Sequence, residues 1–229
     1  MKDPYVYDDC DVLINQANIK DKDKLAEFEN RMTNLAIVSL FKNVHTISDT
    51  KDVFKIHKQL FEHVYEWAGI ARTINIYKDE PILGGISVEY TAYNHITKAL
   101  KQIDHKYFKQ DWKSLRKEDF MHLFTRMIAD IWQVHPFREG NTRVVSAFAF
   151  LFLKQQGYNY NVALIRQHAK YFRNALVMAF LGEHAEYQYL QNIFVDAITN
   201  EDAAVSQDKY TKIKDYEINT YQYVHHKAK

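Results

Sequence analysis

The segment from Arg143 to Gln156, RVVSAFAFLFLKQQ, is apolar nearly all round. A helix without a polar face must be covered on every side, so residues 143–156 are expected to form the buried axis of a helical bundle. The stretch before it keeps helical spacing. Between Glu118 and Val134, Phe120, Leu123, Phe124, Met127, Ile128, Ile131 and Trp132 share one face. Asn141 or Thr142 is expected to cap the axis helix and Gly157 to end it.

More helices are expected elsewhere. Asp21–Val44 places Leu25, Phe28, Met32, Leu35, Ala36, Ser39 and Leu40 on one face. Ser48 or Asp49 can cap the next, which carries Val53, Ile56, Leu60, Phe61, Val64 and Trp67 and stops near Gly69. Tyr90–Tyr107, Arg166–Leu181 and Glu186–Ile198 follow the same pattern. Arg72–Glu89 differs: RTINIY alternates, DEP and GG signal turns, and ISVEY is β-prone, which together predict a β-hairpin. With 6 glycines and 3 prolines in 229 residues, the class is all-α with this one hairpin. Residues 1–199 form the expected domain. Residues 200–229, polar and lysine-rich, read as a partly ordered tail or the start of a truncated segment.

Composition narrows the function classes. A formal net charge of +1 gives no pull toward nucleic acid or a membrane surface. The N-terminal MKDPYVYDDCD has no apolar signal region, and the longest apolar region, Val144–Leu153, is too short to span a bilayer and is interrupted by Ser146. The single cysteine, Cys10, lacks basic neighbours and fits a reducing compartment. His57 and His63 are six residues apart, the wrong spacing for one metal, and there is no cysteine cluster, so zinc is not expected. His57 reads as a packed or capping histidine, and Trp67 and Trp112 as core or interface residues.

Between the two most apolar helices lies HPFREGNTR, His135 to Arg143. Gly140 lets the backbone approach a ligand closely. The amides of Gly140, Asn141 and Thr142, at the N-terminus of the next helix, make an anion site. Arg143 in the first turn opposes the helix dipole, so helix stability does not explain it, whereas a bound phosphate does. Glu139 beside that anion would be repelled unless Mg²⁺ bridged them. His135 is a credible base at neutral pH. The set suggests phosphoryl-type transfer. The competing reading is a capped interhelical turn whose histidine and glutamate are surface groups.

The loop resembles the signature of the Fic (filamentation induced by cAMP) family, H-P-F-x-[DE]-G-N-G-R-x-x-R, through His135, Pro136, Phe137, Glu139, Gly140, Asn141 and Arg143. IHKQLFEHVYEWAGIART, INIYKDEPILGG and YFRNALVMAFLGEHAEYQYL are similar to the family's stretch before the flap, its flap and its later helices. The resemblance, over roughly residues 5–198, implies a Fic-type helical bundle with a small β-hairpin flap over the active site. It also implies transfer of AMP from ATP to a hydroxyl of a target protein. His135 would be the base and Glu139 the Mg²⁺ ligand. Gly140 and Asn141 would form the anion hole, Arg143 would reach the distal phosphates, and Lys78 on the flap would lie near the nucleotide. Phe137 would anchor the loop, and the target would dock its backbone on the flap edge. Such a protein works in the bacterial cytoplasm or is secreted into a host cell.

Two positions depart from the signature. Thr142 replaces its second glycine, putting a side chain into the phosphate nest, and Ser146 replaces its last arginine, removing a distal-phosphate contact. These departures leave open another transferred phosphate-containing moiety, or a degraded domain that binds nucleotide or a partner without transfer. The family's inhibitory pattern, [ST]-x-x-x-E-[GN], is absent: Glu29–Asn30 has Leu25 at its first position and Glu139–Gly140 has His135. Inhibition would therefore come from a separate small antitoxin-like protein.

Overall fold

The computed structural model describes residues 3–43, 46–199 and 216–218. Among these described residues eight α-helices follow in order: α1 Lys22–Lys42, α2 Lys51–Phe61, α3 Ile96–Tyr107, α4 Lys117–Val134, α5 Asn141–Gln155, α6 Val162–Gln167, α7 Ala169–Met178 and α8 Gln188–Ala197. α5 is the axis. Val144, Val145, Ala147, Phe148, Ala149, Leu151, Phe152 and Leu153 are buried, and α2 and α4 pack against it. Phe152 contacts Phe124, Phe148 and Trp112, which ties α5 to α4 and to the α3–α4 connection. Phe150 is half-buried and lies 4.0 Å from the Phe41 ring of α1.

Local chemistry explains the boundaries. The Asp21 carboxylate accepts the Lys24 N–H at 2.9 Å and starts α1. The Asp52 carboxylate reaches back to the Ser48 N–H at 2.7 Å, so α2 starts at Lys51 and neither Ser48 nor Asp49 is its N-cap. α2 ends at Phe61, earlier than the apolar pattern suggests, and turns carry the chain to Gly69. At the end of α5, the Gly157 N–H donates to Lys154 O and the Tyr158 N–H to Leu153 O, with Gly157 left-handed at φ 86°. This paired closure is why α5 stops there.

Two expectations need correction here. Leu35 is 63% exposed; the buried stripe of α1 runs through Leu25, Glu29, Thr33 and Leu40, because two polar residues find partners inside. The expected hairpin at 72–89 does not form two strands. It is closed by one antiparallel bridge, Asp79 to Ser87, with a 3₁₀ turn at Pro81–Leu83 as its tip. Pro81 and the left-handed Gly84 and Gly85 tighten the tip, and Arg72 holds the base by side-chain bonds rather than by a strand ladder. The described strands lie elsewhere: Asn159–Tyr160 pairs antiparallel with Ile198–Thr199. Residues 200–215 and 219–229, most of the expected tail, lie outside the described residues.

Candidate active site

The loop after α4 is built by its own side chains. Pro136 cannot continue α4, and His135 leaves the helix in the left-handed conformation at φ 48°, a placement that costs about 1–2 kcal/mol for a non-glycine residue. The Asn141 side chain clamps the loop, accepting from Phe137 N–H at 3.0 Å and donating to Phe137 O at 2.8 Å. Gly140, not Asn141 or Thr142, is the N-cap of α5; its φ of 83° and its contact with Phe61 exclude any side chain.

His57 lies beneath the loop as a structural histidine. Its Nδ1 accepts the Gly69 N–H at 2.8 Å, so the ring proton is on Nε2, 3.2 Å from Glu139 O. It stacks on Phe137 at 3.8 Å. Burial, opposed in part by the Glu139 carbonyl, lowers its pKa to about 3.

His135 is buried, with Nδ1 3.1 Å from Trp132 O and its ring stacked 3.8 Å from Tyr90. A carbonyl can only accept, so Nδ1 carries the proton and Nε2 presents a lone pair. Nε2 is buried and has no hydrogen-bond partner. Burial, reinforced by the Lys78 charge, holds the imidazole pKa well below its ordinary value, so the ring is neutral at pH 7.

Glu139 accepts the Gly140 N–H at 2.9 Å and pairs with Lys78 Nζ at 3.2 Å. Burial alone would raise its pKa, but Lys78, the Gly140 N–H and Arg143 outweigh that and hold the carboxyl at about 2. Among the described residues no cluster of three metal-binding side chains exists. A lone ionised carboxylate beside an anion site is nevertheless what Mg²⁺ uses when phosphates supply the other oxygens, so Glu139 fits that role.

The structure brings His135, Glu139, Gly140, Asn141, Thr142, Arg143 and Lys78 together, with changed parts. Gly140 N–H is spent on Glu139, and the Asn141 side chain on Phe137. The amides of Asn141, Thr142 and Arg143, which a helix start leaves without intrahelical acceptors, have no partner among the described residues. Arg143 does not point freely toward a distal phosphate. It donates to the Glu29 carboxylate and to Thr33 Oγ at 3.3 Å, above the Phe61 ring. The Thr142 hydroxyl accepts the Trp132 indole N–H at 3.1 Å, so it turns toward α4 rather than only filling the nest. A cleft of about 480 Å³ opens beside Thr142, Arg143 and Ser146.

Sequence reasoning missed the supports of this site. Buried Arg72 donates to His135 O at 2.8 Å, Ile74 O at 2.6 Å and Thr91 O, stitching the loop to the flap base. Buried Glu80 accepts from Tyr90 Oη at 3.1 Å and from Arg173 at 2.7 Å, tying the flap to α7. Polar residues inside helix-periodic or β-prone stretches were the available signal, but their partners are distant in sequence.

Residues 47–153 match the model of the Fic/DOC family. The chain is 29% identical over 185 residues to the probable protein adenylyltransferase y4lH of Sinorhizobium fredii, covering 81% of this chain and 92% of that protein. It is 29% identical over 159 residues to the protein adenylyltransferase VbhT of Bartonella schoenbuchensis, covering 69% of this chain but only 32% of that longer protein. The fold is similar to the N-terminal Fic domain of an effector protein from Bartonella sp. AR 15-3, with TM-score 0.74 and 22% identity over 89% of this chain and 95% of that one. The stretch that matches the Fic/DOC family model, residues 47–153, contains the HPFREGNTR loop and the start of α5, and the chain is similar to that family there.

Proposed function

We propose that this chain transfers AMP from ATP to a hydroxyl side chain of a target protein. The observation that carries the reading is the buried, unpartnered Nε2 of a neutral His135 beside the free amides that start α5. The target hydroxyl oxygen attacks the α-phosphorus while His135 Nε2 takes its proton. The new P–O bond forms as the bond to the β-phosphate oxygen breaks and pyrophosphate leaves. The amides of Asn141, Thr142 and Arg143 receive the phosphate oxygens. Glu139 would hold Mg²⁺, which would neutralise phosphate charge. Lys78 then leaves Glu139 for the nucleotide. The groove along Thr73–Lys78, with Tyr93 and Arg138, accepts the target backbone.

In this reading residues 1–199 are the catalytic domain. A separate small protein supplies inhibition, and the enzyme acts in the bacterial cytoplasm or in a host cell after secretion. No helix among the described residues is long and apolar enough to cross a membrane.

One observation favours a second reading, a domain that binds nucleotide without transfer: Arg143 is already engaged by Glu29. Incubation of a lysate with ATP labelled at the α- or the γ-phosphate distinguishes them. Protein labelling from the α-label only, lost in His135→Ala while nucleotide still binds, supports AMP transfer. Equal labelling by wild type and variant refutes the base, γ-label on protein refutes AMP as the moiety, and binding without labelling selects the second reading.

A further inference from the structure

The hydrogen bond from Trp132 to Thr142 crosses from the last turn of α4 to the first turn of α5. Trp132 is 1% exposed, and leaving a buried donor unpaired costs about 1–3 kcal/mol. The indole N–H of partly buried Trp67 is itself buried without a partner, so such pairing is not automatic in this chain.

Trp132 also grips the base. Its carbonyl faces His135 Nδ1 at 3.1 Å, and its indole stands edge-on to the imidazole with ring centroids 5.3 Å apart at 86°. Tyr90 stacks on the imidazole and meets Trp132 edge-on at 5.7 Å. The imidazole therefore has its orientation set by two rings, one of which has its only side-chain hydrogen bond to Thr142. A glycine at 142, as in the signature, offers no such acceptor.

We propose that Thr142 is a positioning residue: by accepting the Trp132 indole N–H it holds His135 in a fixed orientation relative to the free amides that start α5. The proposal rests on the transfer reading for its kinetic consequence, while the ring orientation can be measured without it. Thr142 acts through Trp132 and donates nothing to the base itself. The side chain that departs from the signature thereby couples the base to the anion site.

Three variants separate this role from simple crowding of the nest. Thr142→Val keeps the shape and removes the acceptor; Thr142→Ser keeps the acceptor; Trp132→Phe removes the donor and leaves the Thr142 hydroxyl in place. For Thr142→Val, kcat is expected to fall about tenfold with nucleotide KM changed less than twofold, the pattern of a displaced reacting group. Thr142→Ser is expected to recover at least half of the lost turnover. Trp132→Phe with Thr142→Val is expected to be no slower than the slower single variant within twofold. Nitrogen-15 NMR of the His135 ring is expected to show a single Nδ1–H tautomer in the wild type and Thr142→Ser, and a mixture in Thr142→Val.

Unchanged kcat and tautomer in Thr142→Val overturn the proposal. So does a rise in KM equal to the fall in kcat, which would place Thr142 on the nucleotide instead, and so does failure of Thr142→Ser to recover turnover. If the wild type transfers nothing, the transfer reading fails, and the tautomer comparison alone then upholds or overturns the positioning role.

Discussion

Arg143, in the first turn of α5, donates to the carboxylate of Glu29, in the middle of α1. Tyr65 donates to the other oxygen of the same carboxylate, and burial raises the Tyr65 pKa so that it stays protonated. Glu29 is buried and Arg143 half-buried, so removing one partner leaves the other poorly solvated. Glu29→Ala is therefore expected to lower unfolding stability by about 2–4 kcal/mol, and Arg143→Ala on top of it to add much less than it costs alone. Urea unfolding of the two singles and the double checks this; strict additivity contradicts the coupling.

Gly140 admits no side chain. A Cβ there would lie 2.3 Å from Phe61 Cζ in a ring that is fully buried, and the backbone is left-handed. Gly140→Ala should cost more than about 2 kcal/mol by strain and overpacking. A thermal melt that shifts by less than a few degrees counts against this account.

Ser146 lines the cleft beside Arg143, and Arg143 is held back by Glu29. Ser146→Arg is expected to tighten ATP binding by about tenfold, the worth of one regained charge-assisted contact. Thr142→Gly, by contrast, gives up the Trp132 bond, so adding it to Ser146→Arg is expected to reduce turnover while leaving the affinity gain. Calorimetric titration with ATP and Mg²⁺ and a transfer assay on each variant distinguish the two effects.

Acid should unfold this protein earlier than its charge balance suggests. His57 is buried neutral with a pKa near 3, so between about pH 6.5 and 3 the unfolded chain binds a proton that the folded chain refuses. Stability therefore falls as pH falls through that window, by up to about 1.4 kcal/mol per unit for His57, and His135 acts in the same direction. Glu139, depressed to about 2, adds loss below about pH 4.5. His57→Gln is expected to flatten the slope between pH 6.5 and 4.5 in denaturant unfolding; an unchanged slope contradicts the assignment.

The helices were legible because each buries one long apolar face, and α5 because it has no other kind of face. Leu35 departs from its pattern for the same reason: apolarity alone counts it inward, while Glu29 and Thr33 hold the inward positions through bonds to residues on other elements. The flap misled because alternation in RTINIY mimics a strand, yet the guanidinium of Arg72 takes the carbonyls that bind that segment's base. Identities and spacing put His135, Glu139 and Gly140 in one loop between two helices, and the structure has them there. They could not reveal that Asn141 works on Phe137, that Arg143 faces Glu29, or that Thr142 faces Trp132. Those partners are set by where a side chain turns, which spacing does not record.

The clamp that Asn141 places on Phe137 closes through atoms of the chain alone. The loop's curvature is thus set by the chain itself, and in the transfer reading a phosphate arriving there would meet amides already aimed. In that reading little of the binding free energy would be lost to ordering the chain, so discrimination among donors would fall to the walls around the loop: the cleft beside Ser146, and the flap held by Lys78 at one point and Glu80 at another. In the transfer reading, exchange of those walls with HPFREGN left intact would change the donor that is accepted.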